Sequence, residues 1–237
     1  HGYTVHVHDI EAAQMQPLHD AGAVVHDSPY ALAQSAALII IAVVDATQVN
    51  QVLVGEGGLS NALTPSHTLM LCPTIAPDDV ERFAQDIQFF GACVIDAPMS
   101  GGPARAQAGT MSLMIACDEA VFSKHAEVLN VLSNKIFRIS DRPGDGARTK
   151  LVNNLLAGIN LVGAAEVLVL AERMGLSAQT TLNVIAQSSG QSWIGSDRMT
   201  RALADNLTPL AHMSLLTKDT RLACEAASGV KFDAPLG

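Results

Sequence analysis

The chain has 237 residues, of which 49% are hydrophobic, and its formal net charge is −9. This length can bury a core and form two domains, and the acidity argues against a nucleic-acid partner, which would need clustered cations. The four cysteines lack CxxC spacing, so neither a zinc site nor a disulfide framework is indicated, and no metal site is predicted.

Membrane and export signals are not evident in the sequence. No apolar run approaches the roughly 20 residues that span a bilayer. Residues 1–9 lack the charged segment and apolar block of a signal peptide. We therefore expect a cytoplasmic protein with no membrane partner.

The first 140 residues alternate short apolar runs with helical patterns. Helices are predicted at residues 11–20, 47–54 and 77–89, and strands at residues 3–8, 23–26, 37–44, 68–72, 92–96, 112–116 and 135–139. The run at 37–44 is apolar throughout, as in a strand buried on both faces. The alternation predicts an α/β fold with a mostly parallel, doubly wound sheet of the Rossmann type.

The chain opens as the second strand of a dinucleotide-binding fold does, with Asp9 at its tip. In such a sheet the first strand is central, and a sheet without it would expose two long edges. We therefore expect a first strand with a glycine-rich turn before residue 1, and a further helix after residue 237.

A loop at residues 140–146 ends the alternation, and helical patterns follow it. Residues 147–174 predict one helix about 40 Å long, and a late helix is predicted at 214–228. Gly158 and Gly163 inside the long helix suggest close packing against another helix. We divide the chain into a Rossmann domain at 1–143 and an all-α substrate and oligomerisation domain at 144–237, both incomplete.

Asp9 is the first candidate binding residue. A carboxylate at a strand end can accept hydrogen bonds from the adenosine ribose and repel a 2′-phosphate, which favours NAD over NADP. The alternative is that Asp9 merely caps the helix that follows. The surrounding βαβ pattern favours the binding role.

A turn after a buried strand contains Ser100, Gly101 and Gly102. Its backbone N–H groups and hydroxyl could bind a carboxylate, although Gly-Gly-Pro is also ordinary turn chemistry. Local sequence alone slightly favours the ordinary turn.

Lys150 lies early in the long helix, with Asn153 and Asn154 three and four residues later on one face. The residues that follow are mostly apolar, so this polar trio is costly unless it faces a polar cavity. Burial disfavours the charged form of a lysine, which suits acid–base catalysis. The alternative is a lysine whose ammonium reaches solvent at a helix start.

Three further features have weaker signals. Lys218, with Asp219 beside it, could approach a cofactor or could form a surface ion pair. His6 and His8 share a strand face, but no third metal ligand is evident. Trp193 could belong to a core or to a pocket wall.

Together these segments resemble the β-hydroxyacid dehydrogenase family, which includes 3-hydroxyisobutyrate dehydrogenase and tartronate semialdehyde reductase. Residues 96–102 (DAPMSGG) and 108–114 (AGTMSLM) resemble the family's substrate-binding segment. Residues 144–154 (GDGARTKLVNN) resemble its catalytic segment. Lys218 and Asp219 match the family's late Lys-Asp pair, and Thr74 matches a cofactor-contacting position. The resemblance covers essentially the whole chain.

The resemblance implies a mechanism. The substrate carboxylate would bind at Ser100, Gly101 and Gly102, oriented by Asn154 and Asn153. Lys150 would take the hydroxyl proton while hydride passes to NAD⁺. Cofactor contacts are predicted for six residues: Asp9, Val43, Val44, Asp45, Thr74 and Lys218.

Within the family, ISDRPG at 139–144 and GQSW at 190–193 resemble the L-threonate dehydrogenase branch. Met99, Pro73 and the pair Ala116 and Cys117 depart from common family residues and bear on substrate choice. The expected substrate is L-threonate or a hydroxy acid like 3-hydroxyisobutyrate. The alternatives are an NADPH-dependent semialdehyde reductase and a non-catalytic scaffold, which would have lost the lysine. The apolar long helix also predicts a homodimer or homotetramer.

Overall fold

A computed structural model describes residues 2–206 and 213–237. The chain divides into two units, His1–Lys150 and Leu151–Gly237. The division falls inside the long helix, a few residues after the boundary expected at 143. We describe each unit by itself.

The first unit contains short strands alternating with helices, as its hydrophobic pattern predicts. Its strands are β1 (His6–Val7), β2 (Val24–Val25), β3 (Leu38–Ile41), β4 (Thr68–Leu71), β5 (Cys93–Asp96), β6 (Met99–Ser100), β7 (Ser112–Ala116) and β8 (Lys135–Ser140). Its helices are α1 (Ala12–Asp20), α2 (Pro29–Ala33), α3 (Ala46–Val54), α4 (Pro77–Phe89), α5 (Gly102–Gln107) and α6 (Glu119–Leu132), with a 3₁₀ turn at Leu59–Asn61. The long helix α7 (Asp145–Arg173) begins in this unit.

The strands form two sheets. β1 and β2 pair in parallel as a two-stranded sheet, and the other six strands form the second. In that larger sheet β3, β4 and β5 are parallel, and β7 is parallel to β8. However, β7 runs antiparallel to both β5 and β6. The sheet is therefore mixed but mostly parallel, as expected. Its two antiparallel pairings both involve β7, which follows the short α5 rather than a long crossover.

Alternate residues of the central strands face two separate cores. Leu69, Leu71 and Val94 pack with side chains of α3 and α4, among them Phe83. Met70, Ile95, Leu113 and Ile115 face the other side, where Leu129 of α6 covers them. This period of two is what places helices on both faces of a sheet. The α/β fold class is confirmed.

The strand β3 is not buried on both faces, as its continuous apolar run led us to expect. Ile39 and Ile41 are buried, but Ile40 is 43% exposed. β3 is the edge strand of the larger sheet in the part of the chain that the structure describes. Within these residues, β3 therefore lacks a neighbouring strand on one side, and it is less closely packed than a central strand.

The second unit is helical in all of its described residues that have regular structure. It contains most of α7, followed by α8 (Ala178–Ile185), α9 (Trp193–Leu203) and α10 (Met213–Gly229). Gly158 of α7 lies against α10, since a Cβ built there would be 2.8 Å from Thr220 Cγ2. This confirms close packing at Gly158, whereas a Cβ at Gly163 would have no atom within 4 Å.

α7 is long and apolar enough to cross a membrane by length and composition alone, and 22% of its most apolar window is buried. The expectation that the sequence has no such segment therefore does not hold. The apolar character of this helix is hard to recognise in the sequence, because Asn153, Asn154 and Asn160 interrupt the apolar residues.

Candidate active site

The carboxyl ends of three parallel strands lie side by side in the larger sheet. Ile41, Leu71 and Asp96 are successive partners in the register of β3, β4 and β5. The loops that follow these strands leave the same edge of the sheet. In open α/β sheets, ligands bind outside this edge. The loops contain three groups of candidate residues: Val43 to Asp45, Thr74, and Ser100 to Gly102.

The turn after β6 has the backbone that the sequence suggested. Ser100 pairs with Ser112 in the antiparallel β6–β7 ribbon. Gly101 and Gly102 follow with φ of 137° and 68°, in a region that residues with a Cβ rarely adopt. A Cβ at Gly101 would also lie 2.7 Å from Arg105 Cδ. The two glycines are therefore required for this turn.

Asp96, at the end of β5, binds the first turn of α7. Its Oδ2 accepts hydrogen bonds from the backbone N–H groups of Gly144, at 2.8 Å, and Ala147, at 3.2 Å. Asp96 is 1% exposed. A carboxylate at this position satisfies donors that a helix start leaves unpaired. The sheet edge and the start of α7 are thus joined by one buried side chain.

Burial dominates the electrostatics of this contact. It raises the pKa of Asp96 to about 6, although the N–H groups of Gly144, Ala147 and Gly146 act in the opposite direction. Burial, with the nearby charge of Asp96, likewise raises the pKa of Cys72 to about 12. Cys72 is therefore an unreactive thiol at neutral pH.

Gly146 makes the contact between Asp96 and α7 possible. A Cβ at this position would lie 2.8 Å from the carbonyl oxygen of Met114 and 2.9 Å from Asp96 Cγ. Gly144 has a φ of 101°, which glycine adopts without strain. These two constraints give a physical reason for the glycines at the start of the GDGARTK segment.

Exposed ion pairs surround the same helix start. Asp145 pairs with Arg142 and Arg148, and Arg148 also pairs with Glu81 at 2.6 Å. A hydrogen bond from Ser140, together with these arginines, lowers the pKa of Asp145. These four charged residues line a pocket of about 320 Å³. The two positive and two negative charges cancel, so we assign these residues a structural role in stabilising the start of α7.

Lys150 follows one turn after Gly146 on α7. The residue is 6% exposed, which is unusual for a lysine. Its neighbour Ala147 belongs to the core formed with α3 and α4. The structure therefore places Lys150 on a well-packed part of the helix rather than on a solvated face.

The second unit contains a polar chain of four residues. Asn153 Nδ2 donates to Asn154 Oδ1 at 3.0 Å, and Asn154 Nδ2 donates to Asp219 Oδ2 at 2.6 Å. Lys218 Nζ lies 2.9 Å from Asp219 Oδ1, an ion-pair contact without hydrogen-bond geometry. Asn154 and Asp219 are buried, whereas Asn153 is exposed. Asp219 thus orients both the Asn154 amide and the Lys218 ammonium.

Asp9 lies two residues beyond β1, and it is exposed. Its Oδ1 accepts a hydrogen bond from the Glu11 N–H at 2.8 Å. It does not cap α1 directly, because the N-cap position is Glu11 itself. Among the described residues no partner of its other oxygen is found, so this carboxylate can accept further hydrogen bonds.

The other predicted cofactor contacts have different surroundings. Asp45 caps α3 by accepting from the Gln48 N–H at 2.9 Å, and the Val44 N–H donates to Gln48 Oε1. Val43 packs against the core. Thr74 is partly buried in the loop after β4. Asp45 therefore has a structural role of its own at this position.

The histidines on β1 bond to β2 and its loop. His6 Nδ1 and His26 Nε2 share a hydrogen bond of 2.8 Å, and His8 Nδ1 bonds to the carbonyl oxygen of His26. No group of three metal-binding side chains occurs in the described ranges. Trp193 begins α9 and is 48% exposed.

Two site residues were not assigned a role from the sequence. Asp96 was only part of a motif, and Asp219 was equally compatible with a surface ion pair. Both act through contacts 48 or more residues away. The apolar run before Asp96, which ends on a single carboxylate, was the one signal in the sequence.

Known proteins resemble this chain over nearly its whole length. Residues 1–140 match the model of the NAD binding domain of 6-phosphogluconate dehydrogenase. Residues 144–237 match the model described as NAD-binding of NADP-dependent 3-hydroxyisobutyrate dehydrogenase. NAD(P)-binding domains are therefore present.

Individual relatives agree with these models. L-threonate dehydrogenase of Escherichia coli O6:H1 is 33% identical and aligns with 96% of this chain and 76% of its own. The crystal structure of 3-hydroxyisobutyrate dehydrogenase from Salmonella typhimurium superposes with a TM-score of 0.90 at 30% identity, over 99% of this chain and 82% of that one. Psf3 in complex with NADP⁺ superposes with a TM-score of 0.88 at 26% identity, over 94% and 78%. The chain belongs to the β-hydroxyacid dehydrogenase family, whose members are oxidoreductases acting on the CH–OH group of hydroxy acids.

Proposed function

We propose that this protein oxidises L-threonate, or a hydroxy acid of similar size, with NAD⁺, and that Lys150 accepts the hydroxyl proton. The observation that carries the proposal is the burial of Lys150, at 6% exposure, on a helix whose start is bonded to the ligand-binding edge of the sheet. Similarity to several L-threonate dehydrogenases, at 31–33% identity, supports the substrate class.

The turn at Ser100, Gly101 and Gly102 is the proposed carboxylate site. Positive φ at both glycines turns the backbone sharply after the serine hydroxyl. Successive N–H groups in such a turn form a concavity that suits an anion. The hydroxy-acid carboxylate would accept hydrogen bonds here, and its carbon chain would extend toward α7.

Asn153 and Asn154 are proposed to orient the substrate. The Asn154 amide is fixed, because its oxygen accepts from Asn153 and its nitrogen donates to Asp219. One N–H of an amide group remains after a single donated bond. That N–H can bind a hydroxyl or carboxylate oxygen, and no conformational cost is paid to orient it.

Lys150 in its neutral form is the proposed base. Its Nζ takes the proton of the substrate hydroxyl as the C–H bond breaks, and the product is an oxo acid. A nicotinamide cofactor bound here would supply the electron acceptor, because it would take up the hydride. The resulting lysine ammonium then hydrogen-bonds the new carbonyl oxygen until the product leaves.

The residues around Asp9 fit an adenosine group. The carboxylate is exposed and has an oxygen that can accept from the ribose hydroxyls, and the neighbouring Ile10 is 87% exposed. A 2′-phosphate here would meet a negative charge, which favours NAD⁺ over NADP⁺. The domain models and the Psf3 complex are compatible with either cofactor.

The test of the function is a screen of three-carbon and four-carbon hydroxy acids with each cofactor. Formation of NADH or NADPH is followed by absorbance. We expect the highest kcat/KM for L-threonate with NAD⁺. A preference for NADPH and a semialdehyde would instead support the reductase alternative, and no turnover with any hydroxy acid would contradict the proposal.

The test of the mechanism is Lys150→Ala. We expect kcat to fall by about 10³-fold or more, because the proposed proton acceptor is removed, while the Kd for NADH stays within about twofold. The matched control is Lys124→Ala, at an exposed position of α6, which should leave kcat unchanged. Near-normal turnover by Lys150→Ala would rule out the assigned role.

A further inference from the structure

We propose that Asp96 is a positioning residue for catalysis: by binding the first turn of α7, it sets the location of Lys150 relative to the substrate-binding turn. This inference rests on the proposed role of Lys150. It adds a residue that does not touch the substrate, and it assigns a purpose to the aspartate that begins the DAPMSGG segment.

Asp96 is hydrogen-bonded to the start of α7. One oxygen of Asp96 accepts from both the Gly144 and the Ala147 N–H groups. These donors belong to the start of the helix that carries Lys150 one turn later. Because the helix is rigid over one turn, a shift of its start moves Lys150 by a similar distance.

Asp96 also holds the proposed substrate-binding turn in place. Asp96 is the last residue of β5 and pairs with Ala116 of β7, and Ser100 follows four residues later, paired with Ser112 of the same strand. The Met114 N–H donates to the carbonyl oxygen of Pro98 between these pairs. The segment from Asp96 to Ser100 is therefore held at both ends, and Asp96 connects it directly to α7.

The position of the Asp96 carboxylate is energetically costly. The carboxylate is buried against a backbone that leaves no room for a Cβ at Gly146. Asp145 of α7 adds a repulsive negative charge, and the thiol of Cys72 after β4 also interacts electrostatically with Asp96. Burial and repulsion both disfavour an ionised side chain at position 96. A contribution to the stability of the fold therefore does not by itself explain why an aspartate is found there.

The first experiment compares Asp96→Ala with Asp96→Asn. The amide oxygen of asparagine can replace the one oxygen that accepts both bonds, whereas alanine removes the acceptor. We expect Asp96→Ala to lower kcat per NADH-binding site by 10-fold or more, with an unchanged Kd for NADH. Asp96→Asn should retain kcat within about threefold. The control is Asp86→Asn, at an exposed position of α4.

A second pair of variants serves if Asp96→Ala does not fold. Gly146→Ala places a methyl group against the Asp96 carboxylate, whereas Gly229→Ala, at the end of α10, meets no atom within 4 Å. We expect only Gly146→Ala to lower kcat. Full kcat per binding site in both Gly146→Ala and any folded Asp96→Ala would overturn the inference and leave only a role in stability.

A readout without turnover separates this inference from the proposed function. In NMR spectra of the enzyme, the amide protons of Gly144 and Ala147 should shift as pH crosses about 6, and Asp96→Asn should abolish the shift. If Lys150→Ala remains active, the proposed function fails, whatever these amides do. If Lys150→Ala is inactive but the amides do not titrate and Asp96→Ala has full kcat, only the positioning role fails.

Discussion

At the scale of single residues, two aspartates at the start of the same helix, Asp96 and Asp145, are in opposite electrostatic environments. Asp96 is buried, and burial raises its pKa to about 6. Asp145 is bonded to Ser140 and paired with two arginines, which lowers its pKa. An aspartate side chain is therefore a buried hydrogen-bond acceptor that can be protonated near pH 6 at position 96, and a charged ion-pair partner at position 145.

The raised pKa of Asp96 predicts a specific dependence of stability on pH. Between its ordinary value of 3.8 and about 6, the folded state binds more protons than the unfolded state. Its contribution is therefore present at low pH and is lost as pH rises through about 6, by about 3 kcal/mol for a shift of this size. The difference in unfolding free energy between the wild type and Asp96→Asn should follow this curve in urea titrations at pH 4 to 7. If the unfolding free energies of the two proteins differed by the same amount at every pH, this prediction would be wrong.

The ion pair between the partly exposed Lys218 and the buried Asp219 predicts a second effect. Asp219→Ala removes the acceptor of Asn154 and leaves the Lys218 ammonium, whose side chain is 19% exposed, without this partner. Breaking such a pair costs about 3 kcal/mol. We expect this loss in thermal unfolding, together with a KM for the hydroxy acid raised about 10-fold.

The control for Asp219→Ala lies on the same helix. Arg221 and Glu225 form an exposed pair on α10, and Glu225→Ala should cost less than about 1 kcal/mol. Equal losses in the two variants would mean that the Asn154 contact contributes nothing.

Sequence reasoning could propose roles for Lys150 and Asn154 because both proposals depend on spacing within one helix. It assigned no role to Asp96, because the bonds that define it join a strand end to backbone groups 48 and 51 residues later. The sequence indicated a need for glycine only at Gly101, as part of a predicted turn. The role of Gly146 depends on the close approach of Met114, which no local pattern encodes.

At the scale of elements, long periodic segments were predicted and short ones were missed. The helix at 77–89 and the strand at 112–116 match α4 and β7, and the long helix at 147–174 corresponds to α7. The short helices α2 and α5 and the strand β6 have two to six residues, too few to show a period. α6 was also missed, although it has 14 residues.

The packing of α7 on α10 predicts the effect of a small substitution. Thr220 cannot easily turn its methyl group away from Gly158, because its hydroxyl donates to the carbonyl oxygens of Leu216 and Thr217. Gly158→Ala should therefore destabilise the protein by about 1–3 kcal/mol despite the better helix propensity of alanine. Denaturant titration measures this, and a stabilised variant would show that the helices separate without cost.

At the scale of the whole molecule, the exposed side of α7 predicts self-association. Val152, Leu156, Val167 and Leu170 are 42–72% exposed and follow helical spacing, with the open Gly163 among them. A helix about 10 Å wide and 43 Å long offers roughly half of the 800 Å² that each partner buries in a standard interface. Two copies packed along α7, with neighbouring helices contributing the rest, would cover this surface.

Sedimentation velocity tests this expectation. The wild type should sediment as a dimer or tetramer, and Leu156→Glu should shift it toward the monomer, because a buried charge opposes association. Val54→Glu, at a 60% exposed position of α3, is the matched control and should not change the sedimentation coefficient. A monomeric wild type would contradict the expectation.

The bond from Asp96 to Gly144 has a consequence for the order of folding. The helix that carries Lys150 contains 29 residues, and most of its hydrogen bonds are local and can form within about a microsecond. Its first turn, however, acquires its acceptor only after β5 is in place, and closing a loop of 48 residues between them is slower. On refolding, helical circular dichroism should therefore recover before dehydrogenase activity, and the delay should report the assembly of the sheet.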